Sequence, residues 1–176
     1  MVYKSMQVSV DHIKQIDWTI QKQRRSGVIV YTMYKGQIYF LAGIDTASGN
    51  ITDFGGGIKL KEETPLTGGL REFVEESCGI FGNIKENDVL DQIVIYTKDL
   101  VIMFIHINFN IDRAMTEFNY RISKITNPEV SGLILMNLEQ FTQIIRGETL
   151  NERIMYDKIR TVLKEALINK NFLEYL

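Results

Sequence analysis

Three glutamates, Glu72, Glu75 and Glu76, stand at spacing i, i+3, i+4 within Arg71-Glu72-Phe73-Val74-Glu75-Glu76. On a helix that spacing aligns three carboxylates along one face. Exposed like charges so placed repel by roughly a few tenths of a kcal/mol per pair. A hard divalent cation, Mg²⁺ or Mn²⁺, prefers oxygen ligands and is their natural counter-charge. Leu66, Leu70, Phe73 and Val74 supply an opposite, apolar face that can bury the helix against a sheet. Ahead of it, Gly55-Gly56-Gly57 forms a run without side chains, whose amides and carbonyls can approach an ion or a phosphate closely. Read by themselves, such glutamates are most often a solvated helix face, and a glycine run only a loop.

The wider spacing narrows the choice. Five residues separate Gly57 from Glu63 and seven separate Glu63 from Arg71; then follow Glu72, the apolar Phe73, one residue, Glu75-Glu76 and, further on, Ile80. This pattern resembles the Nudix signature, G-x5-E-x7-R-E-U-x-E-E-x-G-U with U apolar. Cys78 takes the place of its second glycine, with Gly79 one residue later. Gly55 stands where many members carry proline, and Gly68-Gly69 where small residues such as alanine are common. None of these departures removes a carboxylate.

The resemblance implies an α/β (α+β) fold, a Nudix-like α/β/α sandwich with a mixed sheet between helices. It also implies metal-dependent hydrolysis of a phosphoanhydride bond in a nucleoside diphosphate linked to another moiety. By position, Glu72, Glu75, Glu76 and the Gly57 carbonyl would hold Mg²⁺ or Mn²⁺, while Arg71 and Glu63 would pair to hold the loop and orient the helix carboxylates. Glu75 or Glu76 could also take the proton of the attacking water, and the resemblance does not separate ligand from base. A loop beyond the signature often adds a base or ligand in this family. Glu129, just before a predicted strand, is the candidate and Glu117 the fallback; a plain loop carboxylate is the competing reading of Glu129.

For the substrate, Arg24 and Arg25 precede the first strong strand and could meet phosphates, or simply be a solvated chain segment. His106 and Asn108 share a strand face and could line a cleft, although a hydrogen-bonded structural histidine is the more ordinary role. Tyr31, Tyr34, Tyr39 and Phe40 could stack on a base, but strand aromatics usually belong to a core. Cys78 reads as an inert helix-end residue. Nucleoside triphosphates, dinucleoside polyphosphates, nucleotide sugars, diphosphoinositol polyphosphates and the messenger RNA cap all stay open as substrates. A Nudix-fold module that binds a nucleotide without turning it over is the alternative; such a module would be expected to have lost carboxylates that this chain keeps. A purely structural domain with a glutamate-rich surface is the third reading.

These side chains need elements to position them. The 176 residues carry 45% hydrophobic and 24% charged side chains and a net charge of −2, the ordinary balance of a globular chain. A single domain spanning 1–176 is expected, with no repeat or linker to divide it. The acidic balance counts against a broad nucleic-acid surface and so disfavours capped RNA. One cysteine allows no intrachain disulfide. No signal-peptide run follows Met1, and the most apolar stretch, Leu100–Ile105, is too short to span a bilayer. A cytoplasmic protein acting on a small diphosphate, with no membrane partner and with a homodimer left open, is the resulting expectation.

Along the chain, Ile13, Ile16 and Ile20 suggest a short amphipathic helix within Val8–Arg25. Gly27–Tyr34 and Gln37–Ala42 predict a hairpin about Lys35-Gly36. Ile44–Asn50 reads as a turn. Thr64 as N-cap and Pro65 as first helical residue predict a helix ending at Cys78-Gly79. Gln92–Thr97 and Leu100–Phe109 predict a second hairpin about Lys98-Asp99. Ile111–Thr126 reads as an inserted segment that could be helical, Leu133–Met136 as a short strand, and Leu150–Lys170 as a long helix.

Overall fold

The computed structural model describes residues 6–176. Strands β1 (Ser9–His12), β2 (Arg25–Tyr34), β3 (Gln37–Asp45), β4 (Ile51–Thr52), β5 (Phe54–Gly57), β6 (Ile93–Tyr96), β7 (Leu100–His106) and β8 (Val130–Asn137) form one mixed sheet. Helices α1 (Pro65–Glu76) and α2 (Ile111–Ile122) lie on one face, α3 (Leu138–Ile145) and α4 (Asp157–Asn169) on the other. The expected mixed sheet between helices is therefore what the chain forms.

The strand order is β1-β6-β7-β2-β3-β4, with β5 added to β2 and β8 to β3. β2 and β7 run parallel, whereas the other pairings are antiparallel. The central strands are buried on both sides. Ile29, Phe40, Ile102 and Phe104 face α3 and α4, while Val28, Val30, Leu41, Val101, Met103 and Ile105 face α1 and α2. That double burial explains why β2 and β7 read as continuous apolar runs rather than alternating ones.

One detail of the sheet creates the site. β2 pairs with β3 only from Val30 onward, and with β5 from Arg25 to Val28. Where β2 and β3 part, residues 51–57 fill the gap, pairing first with β3 as β4 and then with β2 as β5. Asp53 is the residue at the change of partner, and it is fully buried.

Local chemistry accounts for the elements around this split. Lys35 and Gly36 both adopt positive φ, 49° and 76°, the conformation of a two-residue hairpin turn that matches strand twist. Thr64 caps α1 by accepting the Thr67 amide at 3.2 Å, with Pro65 at the first position. At the other end the Gly79 amide donates to the Val74 carbonyl at 2.8 Å and the Cys78 amide to Glu75 at 3.1 Å. This is a Schellman closure, and its left-handed residue is Cys78 with φ 56°. The signature's glycine falls at the position where that backbone conformation is required, which gives its presence a physical reason.

Several expectations need correction. Val8–Arg25 does not hold an amphipathic α-helix: it contributes β1, paired to β6, and a single 3-10 turn at Ile13–Gln15. Long-range strand pairing satisfies this backbone, and the helical spacing is coincidental, since Ile13 is fully buried while Ile20 is 67% exposed. The C-terminal helix begins at Asp157, not Leu150. Asn151 and Glu152 take positive φ, and the segment instead bonds across to Ile51, through Ile51 N–H to Ile154 O and Tyr156 N–H to Ile51 O at 2.8 Å each. The expected turn at Ile44–Asn50 begins later, because Ile44 and Asp45 still belong to β3. β7 stops at His106, β8 is longer than Leu133–Met136 at both ends, and α3 was not foreseen.

Candidate functional site

α1 is held by Leu66, Leu70 and Phe73, all buried against the sheet, so its opposite side is fixed in direction. Glu72 and Glu76, one turn apart on that side, meet Glu129 from the loop before β8. The three offer carboxylate oxygens that lie within 4.8 Å of one another. Glu129 arrives there because Thr46 N–H donates to its carbonyl at 2.9 Å and Val130 pairs with Asp45 at the end of β3. The cluster thus sits at the mouth of the split between β5 and β3.

β5 forms the floor. The Gly55 amide donates to Glu76 Oε2 at 2.8 Å. A Cβ at Gly56 would come within 2.6 Å of the Glu72 carboxyl carbon, so only glycine lets that side chain lie flat against the strand. At Gly57 a Cβ would meet nothing within 4 Å. Gly55 is required as well, because a Cβ there would meet the Gly27 backbone at 2.7 Å, so of the three only Gly57 has room for a side chain.

Arg71 organises the rim. Its Nε and Nη2 donate to the two oxygens of Glu63, at 3.0 and 2.8 Å, a bidentate fork. Nη1 reaches Glu72 at 3.1 Å and Glu75 at 3.3 Å, and Nη2 also donates to the Gly57 carbonyl at 3.3 Å. Glu63 receives in addition the Lys59 amide at 2.9 Å, which closes the loop onto the helix. Hydrogen bonding from Arg71 holds the Glu63 carboxyl below its usual range, and the same pairing raises Arg71.

The electrostatics of the cluster are unfavourable as long as it holds only carboxylates. Burial pushes Glu76 up to about 9; the charge of Asp53, a hydrogen bond with Glu129 and the charge of Glu72 add to the effect, against the Gly55 amide. Burial also raises Glu72, with Glu75 and Glu129 adding to it and Arg71 opposing. Hard oxygen donors crowded in this way, short of positive charge, suit a divalent cation such as Mg²⁺.

The structure distributes the remaining candidates unevenly. Glu75 stands outside the cluster, with a side chain 59% exposed and turned to Arg71. The Gly57 carbonyl lies at the rim. Arg25 is committed elsewhere, because its Nη2 and Nη1 hold Asp53 at 2.6 and 3.0 Å. Arg24 is exposed beside it, lining a cavity with the β6–β7 turn and the first turn of α4 rather than the cluster. His106 pairs in register with Tyr31, six residues along β2 from Arg25, which places it about 20 Å from this end of the sheet. It stacks on Tyr31 with ring centroids 5.1 Å apart. Tyr31 and Phe40 belong to the core, whereas Tyr34 is half exposed at the hairpin tip. Glu117 pairs with Arg121, which in turn donates to the Cys78 carbonyl at 2.8 Å and ties α2 to the end of α1.

Asp53 was missed by sequence reasoning. Its signal was available: a carboxylate amid Ile51-Thr52 and Phe54, inside an apolar strand, requires a buried cation, and Arg25 is the partner it finds.

No family model and no curated protein sequence matches the chain. Among solved structures, it is similar to the C. elegans Ap4A hydrolase (15% identity over 82% of this chain and 96% of that one, TM-score 0.46) and to a binary complex of a C. elegans Ap4A hydrolase (14%, 86% and 98%, 0.48). It is also similar to the NUDIX domain of Shewanella oneidensis NrtR complexed with ADP ribose (14%, 84% and 90%, 0.44). At such identities and TM-scores these likenesses say nothing about what this chain does.

Proposed function

We propose that the chain is a Nudix-type pyrophosphohydrolase, hydrolysing a phosphoanhydride bond in a nucleoside diphosphate linked to another moiety, with Mg²⁺ or Mn²⁺. The observation that carries this reading is the convergence of Glu72, Glu76 and Glu129 within 4.8 Å, two from the signature helix and one from a distant loop. Glu72 and Glu76 would hold the cation, with Glu129 at its exposed side and with Glu75 and the Gly57 carbonyl at the rim. A bound cation would neutralise the bridging phosphates and favour ionisation of water.

The chain's own residues do the rest. Arg71 fixes the angle of Glu72 and ties it to Glu63, so that the carboxylates are oriented before substrate arrives. The Gly55 amide anchors Oε2 of Glu76, and Glu129 stands against the same carboxyl. Glu129, the exposed member of the three, is placed to accept a proton on its carboxylate as water adds to phosphorus and the anhydride oxygen departs. No covalent intermediate is required, and no nucleophilic side chain stands in the cluster.

The test is phosphate and pyrophosphate release from a panel of nucleoside triphosphates, diadenosine polyphosphates, nucleotide sugars, a diphosphoinositol and capped RNA. Cation-dependent turnover that falls at least about a hundredfold in Glu76→Gln is the expected result. Binding of a panel member with no turnover under any divalent cation would replace the hydrolase by a nucleotide-binding module.

A further inference from the structure

Glu129 is the one member of the cluster that no helix directs. It lies in the loop between α2 and β8, and its side chain forms no ion pair among the described residues. It nevertheless turns toward Glu72 and Glu76, two further acids. Carboxylates repel one another, so the direction of this side chain comes from its backbone.

That backbone is gripped by a single residue. Thr46 N–H donates to the Glu129 carbonyl at 2.9 Å, and Thr46 Oγ1 donates to the Pro128 carbonyl at 2.6 Å. The two carbonyls belong to the peptide planes on either side of the Glu129 Cα. Each plane is rigid, so holding both fixes φ and ψ at that residue, and with them the direction of its Cα–Cβ bond. The chain ahead has little freedom of its own: Asn127 takes a positive φ of 51°, and the ring of Pro128 locks φ at about −65°. Beyond Glu129, Val130 pairs with Asp45 and Gly132 with Ile44, which leaves Ser131 as the extra residue of a bulge. Because of that bulge Val130 is buried on the α1 side together with Leu133; in unbroken alternation it would face α3 and α4.

Thr46 is itself firmly placed. It opens the β3–β4 turn, which is closed by Asp45 N–H to Asn50 O and Gly49 N–H to Asp45 O at 2.8 Å each, and by Ser48 Oγ to Asp45 Oδ2 at 2.6 Å. Arg153 Nη1 ties the tip of the turn to the chain before α4 through the Gly49 carbonyl at 2.8 Å. The Thr46 side chain is exposed, so its hydroxyl can be removed without disturbing the core.

We propose that Thr46 is the positioning residue of the third carboxylate: its amide and hydroxyl fix the peptide planes about Glu129 and so hold that side chain beside Glu72 and Glu76 to complete the cation site. Thr46 touches neither cation nor substrate and acts through Glu129 alone. The inference rests on reading the cluster as a cation site.

Mn²⁺ affinity measured by calorimetry tests it, with turnover of the substrate panel measured alongside. Thr46→Val keeps the branched shape and loses the hydroxyl, whereas Thr46→Ser retains the hydroxyl. Thr46→Val is expected to weaken Mn²⁺ about three- to tenfold, the range for one hydrogen bond, and Thr46→Ser to stay within about twofold of the parent. Glu129→Gln is expected to weaken Mn²⁺ further. Thr46→Val/Glu129→Gln should then be no weaker than Glu129→Gln alone, because the hydroxyl has no other route to the cation. Thr142→Val removes a comparable exposed hydroxyl, bonded to the Leu138 carbonyl at 2.8 Å on α3, and should bind as the parent does. Additive losses in the double variant would overturn the inference in favour of general loosening. Unchanged affinity in Thr46→Val or in Glu129→Gln would overturn it too, as would equal losses in Thr46→Ser and Thr46→Val. The expected binding pattern without turnover removes the hydrolase and keeps the positioning role. Turnover and Mn²⁺ binding that are both indifferent to Thr46→Val remove the positioning role alone, and a parent chain that binds no Mn²⁺ removes both.

Discussion

Glu76 carries the clearest chemical consequence at the scale of single residues. Its carboxyl is pushed up to about 9 by burial and by neighbouring acids, against an ordinary value of 4.5. In the unfolded chain it ionises near that ordinary value, whereas the folded, cation-free protein retains the proton. The contribution to stability is therefore whole below about 4.5 and declines as pH rises through the interval toward 9. A cation must displace that proton. Mg²⁺ binding near neutrality should release about one proton, and affinity should rise close to tenfold from pH 7 to 8. Calorimetry in buffers of different ionisation enthalpy measures the proton, and thermal melts at pH 6 and 8, with chelator and with Mg²⁺, measure the slope; a slope unaffected by Mg²⁺ would refute the assignment. The spacing of Glu72 and Glu76 was legible in the sequence because helix geometry alone relates them. Their partner Glu129 was one of two acids the sequence offered beyond the signature, and only the pairing of β8 with β3 distinguishes it from Glu117. Asp53, which helps set the Glu76 value, was not singled out, since its role depends on an arginine 28 positions earlier.

At the scale of elements, the site depends on how closely β5 and α1 approach. Gly56→Ala would drive its Cβ into the Glu72 carboxylate, the movable end of a side chain rather than backbone. The fold should survive with little change in melting, while cation affinity or turnover falls roughly 10–100-fold, the range for displaced metal-site geometry. Gly57→Ala, one residue on, meets no neighbour and should retain both, so the pair of variants separates close approach from general glycine dependence. Both ends of α1 were readable beforehand. Thr64-Pro65 announces its start by local hydrogen bonding and fixed φ, and Cys78-Gly79 its end by a tight closure. β1 was not readable, because its hydrogen bonds come from β6, more than eighty residues later. The start of α4 was misjudged for a similar reason: residues 150–156 are drawn out of helix by Ile51.

At the scale of the whole molecule, Arg25 and Asp53 pin the point where one extended segment exchanges β3 for β2. Asp53 is fully buried and Arg25 keeps 23% of its side chain exposed. Arg25→Ala would leave a buried carboxylate without its counter-charge and should destabilise the fold by about 3–5 kcal/mol. Arg25→Met with Asp53→Asn should recover most of that loss, and urea denaturation of the two variants checks the difference. The sheet shows a second property of the whole chain. β6 and β7 are joined by a tight turn, closed by Thr97 N–H to Leu100 O at 3.0 Å, whereas β7 must find β2 in parallel across a long stretch of sequence. Until that docking occurs, Leu100–Ile105 presents an uncharged, apolar edge flanked only by Lys98, Asp99 and His106. Refolding from denaturant should therefore compete with self-association: recovery should fall as chain concentration rises, and the aggregates should carry the hydrogen-exchange protection of cross-strand stacking in residues 100–105.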